Sequence, residues 1–435
     1  MFLEIVRLLS NKFLTSLNKY SIIFIKTNFF MEVIIMLISI PKDVKYIIDT
    51  FYKNGYEAFM VGGCIRDILL NRTPMDYDIA TSAPPEITEK LFKKTIPTGI
   101  EHGTITVLID KNPYEVTTYR TEGTYSDNRK PDSVTFISDI KEDLARRDFT
   151  INAFAYNDRK GLLDYFSGNT DLNRKLIKCV GNPDKRFKED ALRMLRAIRF
   201  SAQLNFNIDE KTFAAIKVNS SSIQNISKER IRVELSKTLL SNNAFSGMIK
   251  LEESKLLKEI LPYNLNLDNS IDKVNPNISS RLAFIFLNLE PSLVESIMRD
   301  LTFDKNTMNK VISLTSSFKD IKSPDSKADC KRLIIKVGKD NIFDLINIYE
   351  SINSKSVPDI TNLVKEILDS NEVLYIKDLA IKGNDLIKEL DITPGKILGE
   401  LLNHLLNEVI NETIDNDYAS LITCAKNYIQ NSLES

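Results

Sequence analysis

The chain has 435 residues, of which 43% are hydrophobic and 27% are charged. These values are typical of a globular protein and exclude a wholly disordered or fibrous chain, and the length favours two or more domains. The net charge of -1, from 58 Lys and Arg residues against 59 Asp and Glu residues, argues against a general, histone-like nucleic-acid binder.

Cysteine and histidine usage narrows the chemistry further. The four cysteines are scattered without a CxxC motif, so we expect neither a zinc ribbon nor a disulfide framework. This usage favours a reducing compartment, and we expect a cytoplasmic location. Only two histidines occur, which is too few for a His-based metallohydrolase.

The N-terminal segment is apolar but does not suit a membrane span. Lys26, Asn28 and Glu32 interrupt the apolar run of residues 21–38, and no small-residue cleavage site follows it. A spanning helix needs about 20 apolar residues with few charges. We therefore interpret residues 1–35 as an extension to which the sequence assigns no role, and we expect Met36 to be the natural start.

A regular pattern begins near residue 40. Val44, Ile47, Ile48 and Phe51 recur at helical spacing. A short apolar strand, a Gly-Gly pair and a second helical pattern follow, and then three segments rich in Val, Ile, Thr and Tyr that predict strands. Residues up to about 155 therefore predict a small mixed α/β domain. The strand signals fade after residue 171, and residues 185–435 predict helices.

Carboxylates follow the Gly-Gly pair. Asp76 and Asp78 are two residues apart in a predicted strand, so both side chains should point the same way. Two close carboxylates are stable together mainly around a divalent cation, and oxygen ligands suit Mg²⁺. Glu115, on a later predicted strand, is a natural third ligand. Gly62 and Gly63, between a strand and a helix, would let backbone N–H groups approach phosphates.

Each of these signals has a simpler interpretation on its own. An Asp-x-Asp pair is usually a solvated strand end, a Gly-Gly pair is usually a turn, and a Glu on a strand usually faces water. Their joint order, however, matches the polymerase-beta-type nucleotidyltransferase core. In that chemistry a hydroxyl attacks the α-phosphorus of a nucleoside triphosphate and pyrophosphate leaves, with metal ions stabilising both oxygens.

Four segments give the chain a more specific resemblance. They resemble the motifs of tRNA nucleotidyltransferases that build the 3′ CCA end, the class shared by bacterial CCA-adding enzymes and poly(A) polymerases. The segments are VGGCIRDILLNRTPMDYDIAT (61–81), ARRDFTINA (145–153), KRFKEDALRMLRAIRF (185–200) and ISKERIRVEL (226–235). Weaker similarity extends to the C-terminus.

The resemblance implies an α+β fold class with a polymerase-beta-type nucleotidyltransferase head that contains a mixed β-sheet, followed by all-helical domains. The implied boundaries are a catalytic head at 36–155, a neck with the nucleotide-selecting helix at 156–235, a helical body at 236–325 and a helical, tRNA-binding tail at 326–435.

The resemblance also implies roles for individual residues. Asp76 and Asp78 would hold Mg²⁺, and Glu115 would assist catalysis. The implied nucleotide-binding residues are Gly62, Gly63, Arg66, Arg147, Asp148, Asn152, Asp190, Arg193, Arg196 and Arg199.

Within that set, Asp190 and Arg193 would act as an amino-acid template for the incoming base. They are three residues apart in a predicted helix from Glu189, so they should share a face. Cytosine and adenine both present an exocyclic amine beside a bare ring nitrogen, which a carboxylate and a guanidinium can match. Uracil and guanine present the opposite polarity. Residues 171–200 carry nine Lys/Arg and four Asp/Glu, a net charge of +5 that suits phosphates.

The expected activity is template-independent addition of C, C and A to tRNA from CTP and ATP, with the acceptor stem and T-arm held by the helical half. The alternatives are a poly(A) polymerase, an enzyme that adds only A or only CC, and a catalytically inactive RNA-binding protein. Segment 121–136 resembles the flexible loop associated with the A-adding step, although it could be a plain hairpin connection. An intact loop argues against CC-only addition, and retention of all three carboxylates argues against the inactive protein.

Overall fold

The computed structural model describes residues 38–123, 134–322 and 326–433. Its chain divides into two compact units, Met1–Ile226 and Ser227–Ser435. The finer division into head, neck, body and tail stays a prediction. The N-terminal extension and the central part of segment 121–136 lie outside the described residues.

The first unit contains all of the described strands. They are β1 (Ala58–Val61), β2 (Asp78–Thr81), β3 (Thr95–Gly99), β4 (Thr104–Ile109), β5 (Asn112–Thr118), β6 (Arg120–Glu122), β7 (Val134–Phe136), β8 (Ala155–Asn157), β9 (Gly161–Leu163), β10 (Leu176–Ile177) and β11 (Asn207–Ile208). Its described α-helices are α1 (Lys42–Lys53), α2 (Gly63–Leu69), α3 (Pro85–Leu91), α4 (Ile140–Ala145), α5 (Gly168–Asn173), α6 (Pro183–Glu189), α7 (Leu192–Leu204) and α8 (Glu210–Asn219).

Seven of these strands form one mixed sheet in the order β3-β4-β5-β2-β1-β8-β9. The pair β2–β5 is parallel and the other pairs are antiparallel. Met60 packs on one face with the buried residues of α1, whereas Phe59 and Val61 pack on the other face with Ile140 of α4. Because both faces are covered, β1 is apolar and buried throughout. The predicted mixed α/β head is confirmed.

The structure corrects the position of Asp76. The sequence places Asp76 and Asp78 in one strand, but β2 begins at Asp78 and Asp76 lies in the connection before it. Asp76 is exposed, whereas Asp78 is partly buried. The alternation of side chains along a strand therefore does not determine how the two carboxylates point.

The structure also corrects the helix predicted from Glu189. That helix is interrupted, because α6 ends at Glu189 and Asp190 has extended backbone angles, φ -140° and ψ 106°. The Asp190 carboxylate accepts a hydrogen bond from the backbone N–H of Leu192 at 3.0 Å. A side chain that bonds to the nearby backbone competes with helix continuation, and the break between α6 and α7 means that Asp190 and Arg193 do not lie on one face of a continuous helix.

The second unit contains only helical elements among its described residues. Its α-helices are α9 (Lys228–Leu239), α10 (Ala244–Glu253), α11 (Leu256–Ile260), α12 (Ile278–Ile285), α13 (Pro291–Asp300), α14 (Lys305–Ser317), α15 (Lys327–Val337), α16 (Ile342–Asn353), α17 (Pro358–Asp369), α18 (Gly383–Leu390), α19 (Lys396–Ile410) and α20 (Tyr418–Leu433). Leu401 and Leu405 of α19 pack with Leu421 of α20 in a buried cluster. The predicted helical half is confirmed.

Two further expectations concern cysteines and the membrane. All four cysteines are free, as expected from their spacing. Among residues 38–123, 134–322 and 326–433, no helix has the length and apolar character needed to cross a membrane.

Candidate active site

The sheet brings the Gly-Gly turn and two of the predicted carboxylates to the same place. Val61 at the end of β1 pairs with Asp78 at the start of β2, so Gly62 begins its turn beside Asp78. On the other side of β2, Ile79 is in register with Val116 of the parallel strand β5. One position earlier, the same register places Glu115 beside Asp78, on the same face of the sheet.

The carboxylate of Asp78 lies in a poorly solvated environment. Burial raises the pKa of Asp78 to about 6, the Arg147 guanidinium opposes this rise, and the carboxylates of Asp76 and Glu115 add to it. The three acidic groups are therefore close enough to interact electrostatically. A carboxylate with a raised pKa beside two others is a position where a cation would be stabilised.

The carboxylates do not form a complete metal site by themselves. Within the described part of the chain, no group of three or more His, Cys, Asp or Glu side chains is arranged to hold a metal ion. Glu115 is exposed, and its charge adds to the raised pKa of Asp78, so its role as a third ligand stays a prediction. Asp76 and Asp78 would leave several ligand positions to water and phosphate oxygens, as is common for Mg²⁺.

Gly62 creates the space occupied by Arg147. Its φ is +80°, and a Cβ added there would lie 2.7 Å from Arg147 Nη1. Arg147 is held from its other side by Asp143, with 3.6 Å between Nη2 and Oδ2. Its Nε is buried and has no hydrogen-bond partner among the residues that the structure describes. An unpaired buried donor next to Asp78 is suited to an anionic ligand.

Four of the predicted nucleotide-binding residues form one hydrogen-bonded chain. Arg66 Nη1 donates to Asn152 Oδ1 at 2.7 Å, and Asn152 Nδ2 donates to Asp148 Oδ1 at 3.1 Å. Arg196 Nε donates to the other carboxylate oxygen of Asp148 at 2.8 Å. This series of hydrogen bonds connects three parts of the first unit, which are α2, the segment that follows α4, and α7. Residues far apart in sequence therefore hold one another in place.

Asp148 is the centre of this chain, and it is charged. Its burial alone would raise its pKa, but the charge of Arg196 and the hydrogen bonds from Asn152 and Arg196 lower the pKa to about 2. The ionised carboxylate therefore fixes the Arg196 guanidinium. An ion pair whose carboxylate is buried and hydrogen-bonded on both oxygens is a rigid element.

The predicted template residues have partners that the sequence analysis missed. Arg193 is buried, and its guanidinium donates to Glu189 Oε2 at 2.7 Å and to the carbonyl oxygen of Arg146 at 3.1 Å. Glu189 also accepts from Arg186 at 2.7 Å. Because α6 ends at Glu189 and α7 begins at Leu192, this pair is not an ordinary i, i+4 pair within one helix, and the sequence spacing alone does not predict it.

Comparison with protein families agrees with this fold. Residues 58–178 match the Poly A polymerase head domain, residues 205–265 match the RNA and SrmB-binding site of polymerase A, and residues 279–425 match tRNA nucleotidyltransferase domain 2. The head fold and the site at its centre thus define a nucleotidyltransferase.

Individual relatives specify the family. The chain is 38% identical to the CCA-adding enzyme of Ligilactobacillus salivarius (strain UCC118) over 91% of this chain and 99% of the relative. It is 39% identical to that of Staphylococcus haemolyticus (strain JCSC1435) over 79% of this chain and 87% of the relative. The crystal structure of the Bacillus stearothermophilus CCA-adding enzyme in complex with CTP superimposes with a TM-score of 0.79 at 28% identity, covering 90% and 98% of the two chains. The protein belongs to the CCA-adding enzyme family of tRNA nucleotidyltransferases.

Proposed function

We propose that this protein adds C, C and A to the 3′ end of tRNA from CTP and ATP, releasing one pyrophosphate at each step. The observation that carries the proposal is the hydrogen-bonded chain from Arg66 to Arg196, which is built next to Gly62 and Asp78. This arrangement supplies fixed positive charge beside a carboxylate that a cation would stabilise. Such a pairing of charges suits a nucleoside triphosphate that carries a metal ion.

Asp76 and Asp78 fit Mg²⁺, because both offer hard oxygen ligands. A bound cation would also favour the ionised form of Asp78, whose pKa is raised first by burial and then by the neighbouring carboxylates. When bound, Mg²⁺ would stabilise charge on the attacking 3′ oxygen and on the leaving pyrophosphate. The chain's own residues have separate tasks. The partly exposed guanidinium of Arg147 would donate to the phosphates, and the turn at Gly62 leaves the space that this guanidinium needs. Glu115 adds negative charge near Asp78.

Selection of the base would fall to Asp190 and Arg193. In this structure Glu189 holds the Arg193 guanidinium, and the Asp190 carboxylate accepts a hydrogen bond from the backbone N–H of Leu192 at the start of α7. Both groups are therefore fixed before a nucleotide enters. A bidentate match to the amine and ring nitrogen of C or A gives about 1–3 kcal/mol of discrimination against U and G. The same pair does not separate C from A, so the growing RNA end must make that distinction.

The second unit would hold tRNA through phosphate and shape contacts along its acceptor stem and T-arm. The relatives named as CCA-adding enzymes extend over nearly the whole chain, which supports full CCA addition over the poly(A), A-only and CC-only alternatives. The free cysteines are compatible with the expected cytoplasmic location, which stays a prediction.

The decisive experiment is extension of a tRNA that ends at the discriminator base, with CTP, ATP and Mg²⁺. We expect a product longer by three nucleotides with the sequence CCA. A long A tail would identify a poly(A) polymerase, and a stop after CC or a requirement for a CC end would identify a partial enzyme. Asp76→Ala should abolish incorporation of both nucleotides while tRNA binding is retained. Activity in that variant would show that the ligand assignment is wrong.

A further inference from the structure

Three guanidinium groups surround one aromatic ring at the nucleotide site. The carbon at the centre of the guanidinium lies 4.0 Å from the ring centroid of Phe200 for Arg199, 5.0 Å for Arg66 and 5.3 Å for Arg196. Arg66 belongs to α2, whereas the other two belong to α7. Phe200 is itself 6% exposed, and its ring packs edge-on against Phe149 with the centroids 5.9 Å apart.

The Phe200 ring lies among three side chains that carry the same charge. Three positive groups near one point repel one another unless nearby negative charge compensates them. Asp67 and Asp148 pair with Arg66 and Arg196, and Arg199 donates to the neutral amide oxygen of Gln203 at 3.0 Å. The negative face of an aromatic ring attracts cations, and this attraction is stronger when the contact is desolvated. Phe200 therefore supplies attraction to all three arginines without adding a formal negative charge.

A carboxylate in the same place would also attract the arginines, but it would repel an incoming phosphate. The aromatic ring keeps the three guanidinia close together without adding a further carboxylate to Asp67 and Asp148, which already pair with Arg66 and Arg196. Because the Phe149 contact and burial fix the ring, the guanidinia are oriented before the ligand arrives, which lowers the ordering cost of binding. The expected ligand of this group is the triphosphate, since no property of the ring distinguishes C from A.

We propose that Phe200 is a positioning residue that gathers Arg66, Arg196 and Arg199 into a binding site for the triphosphate. The inference rests on the proposed function for the identity of the nucleotide. The binding of inorganic tripolyphosphate, however, tests the arginine group independently of any nucleotide addition.

The test compares Phe200→Leu and Phe200→Tyr with a matched control, Phe206→Leu. Phe206 is buried to a similar degree, 5% exposed, and follows α7. We expect Phe200→Leu to weaken tripolyphosphate binding, measured by calorimetry, and to raise the KM for CTP and ATP alike, each by about 5- to 30-fold, with kcat within about 3-fold of wild type. Phe200→Tyr retains a ring and should stay within about 3-fold of wild type.

Wild-type binding of tripolyphosphate by Phe200→Leu would overturn the proposal, as would equal weakening in Phe206→Leu or full loss in Phe200→Tyr. If Phe200→Leu does not fold, Phe200→Met replaces it with the same expected result. A wild-type protein that binds tripolyphosphate in a Phe200-dependent way but adds no C or A to tRNA would refute the proposed function and leave the role of Phe200 standing.

Discussion

Replacing Gly62 by Ala tests the geometry of the active site most directly. The residue has a φ of +80°, and its new Cβ would lie 2.7 Å from Arg147 Nη1, closer than real Cβ contacts allow. Two costs follow. The backbone strain destabilises the folded state by roughly 1–3 kcal/mol. In addition, the Arg147 guanidinium must move away from the turn.

The effect on activity can be estimated from what Arg147 loses. A hydrogen bond from a charged donor contributes about 1.5–3 kcal/mol. If the displaced guanidinium no longer reaches the phosphates, kcat/KM should fall by about 10- to 150-fold. The loss should be the same for CTP and ATP, because Arg147 does not contact the base in this proposal.

Two other glycines provide matched controls. Gly55 and Gly161 have φ values of +83° and +70°, and a Cβ added at either would have no atom within 4 Å. Gly55→Ala and Gly161→Ala should therefore lose stability without losing nucleotide incorporation. The assay is the initial rate of CTP and ATP addition to tRNA, together with urea denaturation of each variant. A kcat/KM of Gly62→Ala within about 2-fold of both controls would show that phosphate binding does not depend on the place that Gly62 leaves for Arg147.

Three other predictions concern charge. Because the pKa of Asp78 is raised to about 6, the folded protein binds this proton more tightly than the unfolded chain. Without metal, the free energy of unfolding should fall as pH rises from about 4 to 6. The affinity for a divalent metal should drop about tenfold per pH unit below pH 6. A metal affinity that does not change with pH in calorimetric titrations would contradict this expectation. Arg193→Ala should raise UTP and GTP incorporation relative to CTP and ATP, and unchanged ratios in a four-nucleotide competition would exclude the template role. Lys331→Met should cost roughly 2 kcal/mol in urea denaturation, because the 4% exposed Lys331 side chain lies 2.7 Å from Glu372. The control is Lys336→Met, which removes a half-exposed ion pair from the same helix and should cost about 1 kcal/mol or less. Equal losses of stability in the two variants would show that burial of Lys331 does not cause the larger effect.

Local patterns in the sequence predicted α1, α2, the strands β1, β2, β4 and β5 and the helical half, but not β3, β8 or β9 of the same sheet. The apolar spacing of Val44, Ile47 and Phe51 predicts α1 because a helix that buries one face must repeat its apolar residues in that way, and all three are buried. Motif order was sufficient to predict the family and to propose Asp76 and Asp78 as metal ligands. These signals lie within short segments, where neighbouring residues determine the structure.

Local patterns failed where a side chain competed with the backbone. The spacing of Asp190 and Arg193 predicts a shared helix face, yet the helix is broken at Asp190, whose carboxylate accepts from the backbone N–H of Leu192. The sequence pattern also places Asp76 and Asp78 in one strand, but the hydrogen-bonded pairing of β2 with β1 begins only at Asp78.

The network at the nucleotide site depends on tertiary structure. Arg66 and Asn152 are 86 residues apart, and Asp148 and Arg196 are 48 apart. The resemblance identified these residues, but it did not indicate that they bond to one another or that Phe200 lies among the arginines. Sequence periodicity records which face of an element is buried, whereas the partners of that face depend on how the sheet and helices pack. Chain folding alone brings these distant groups to within bonding distance.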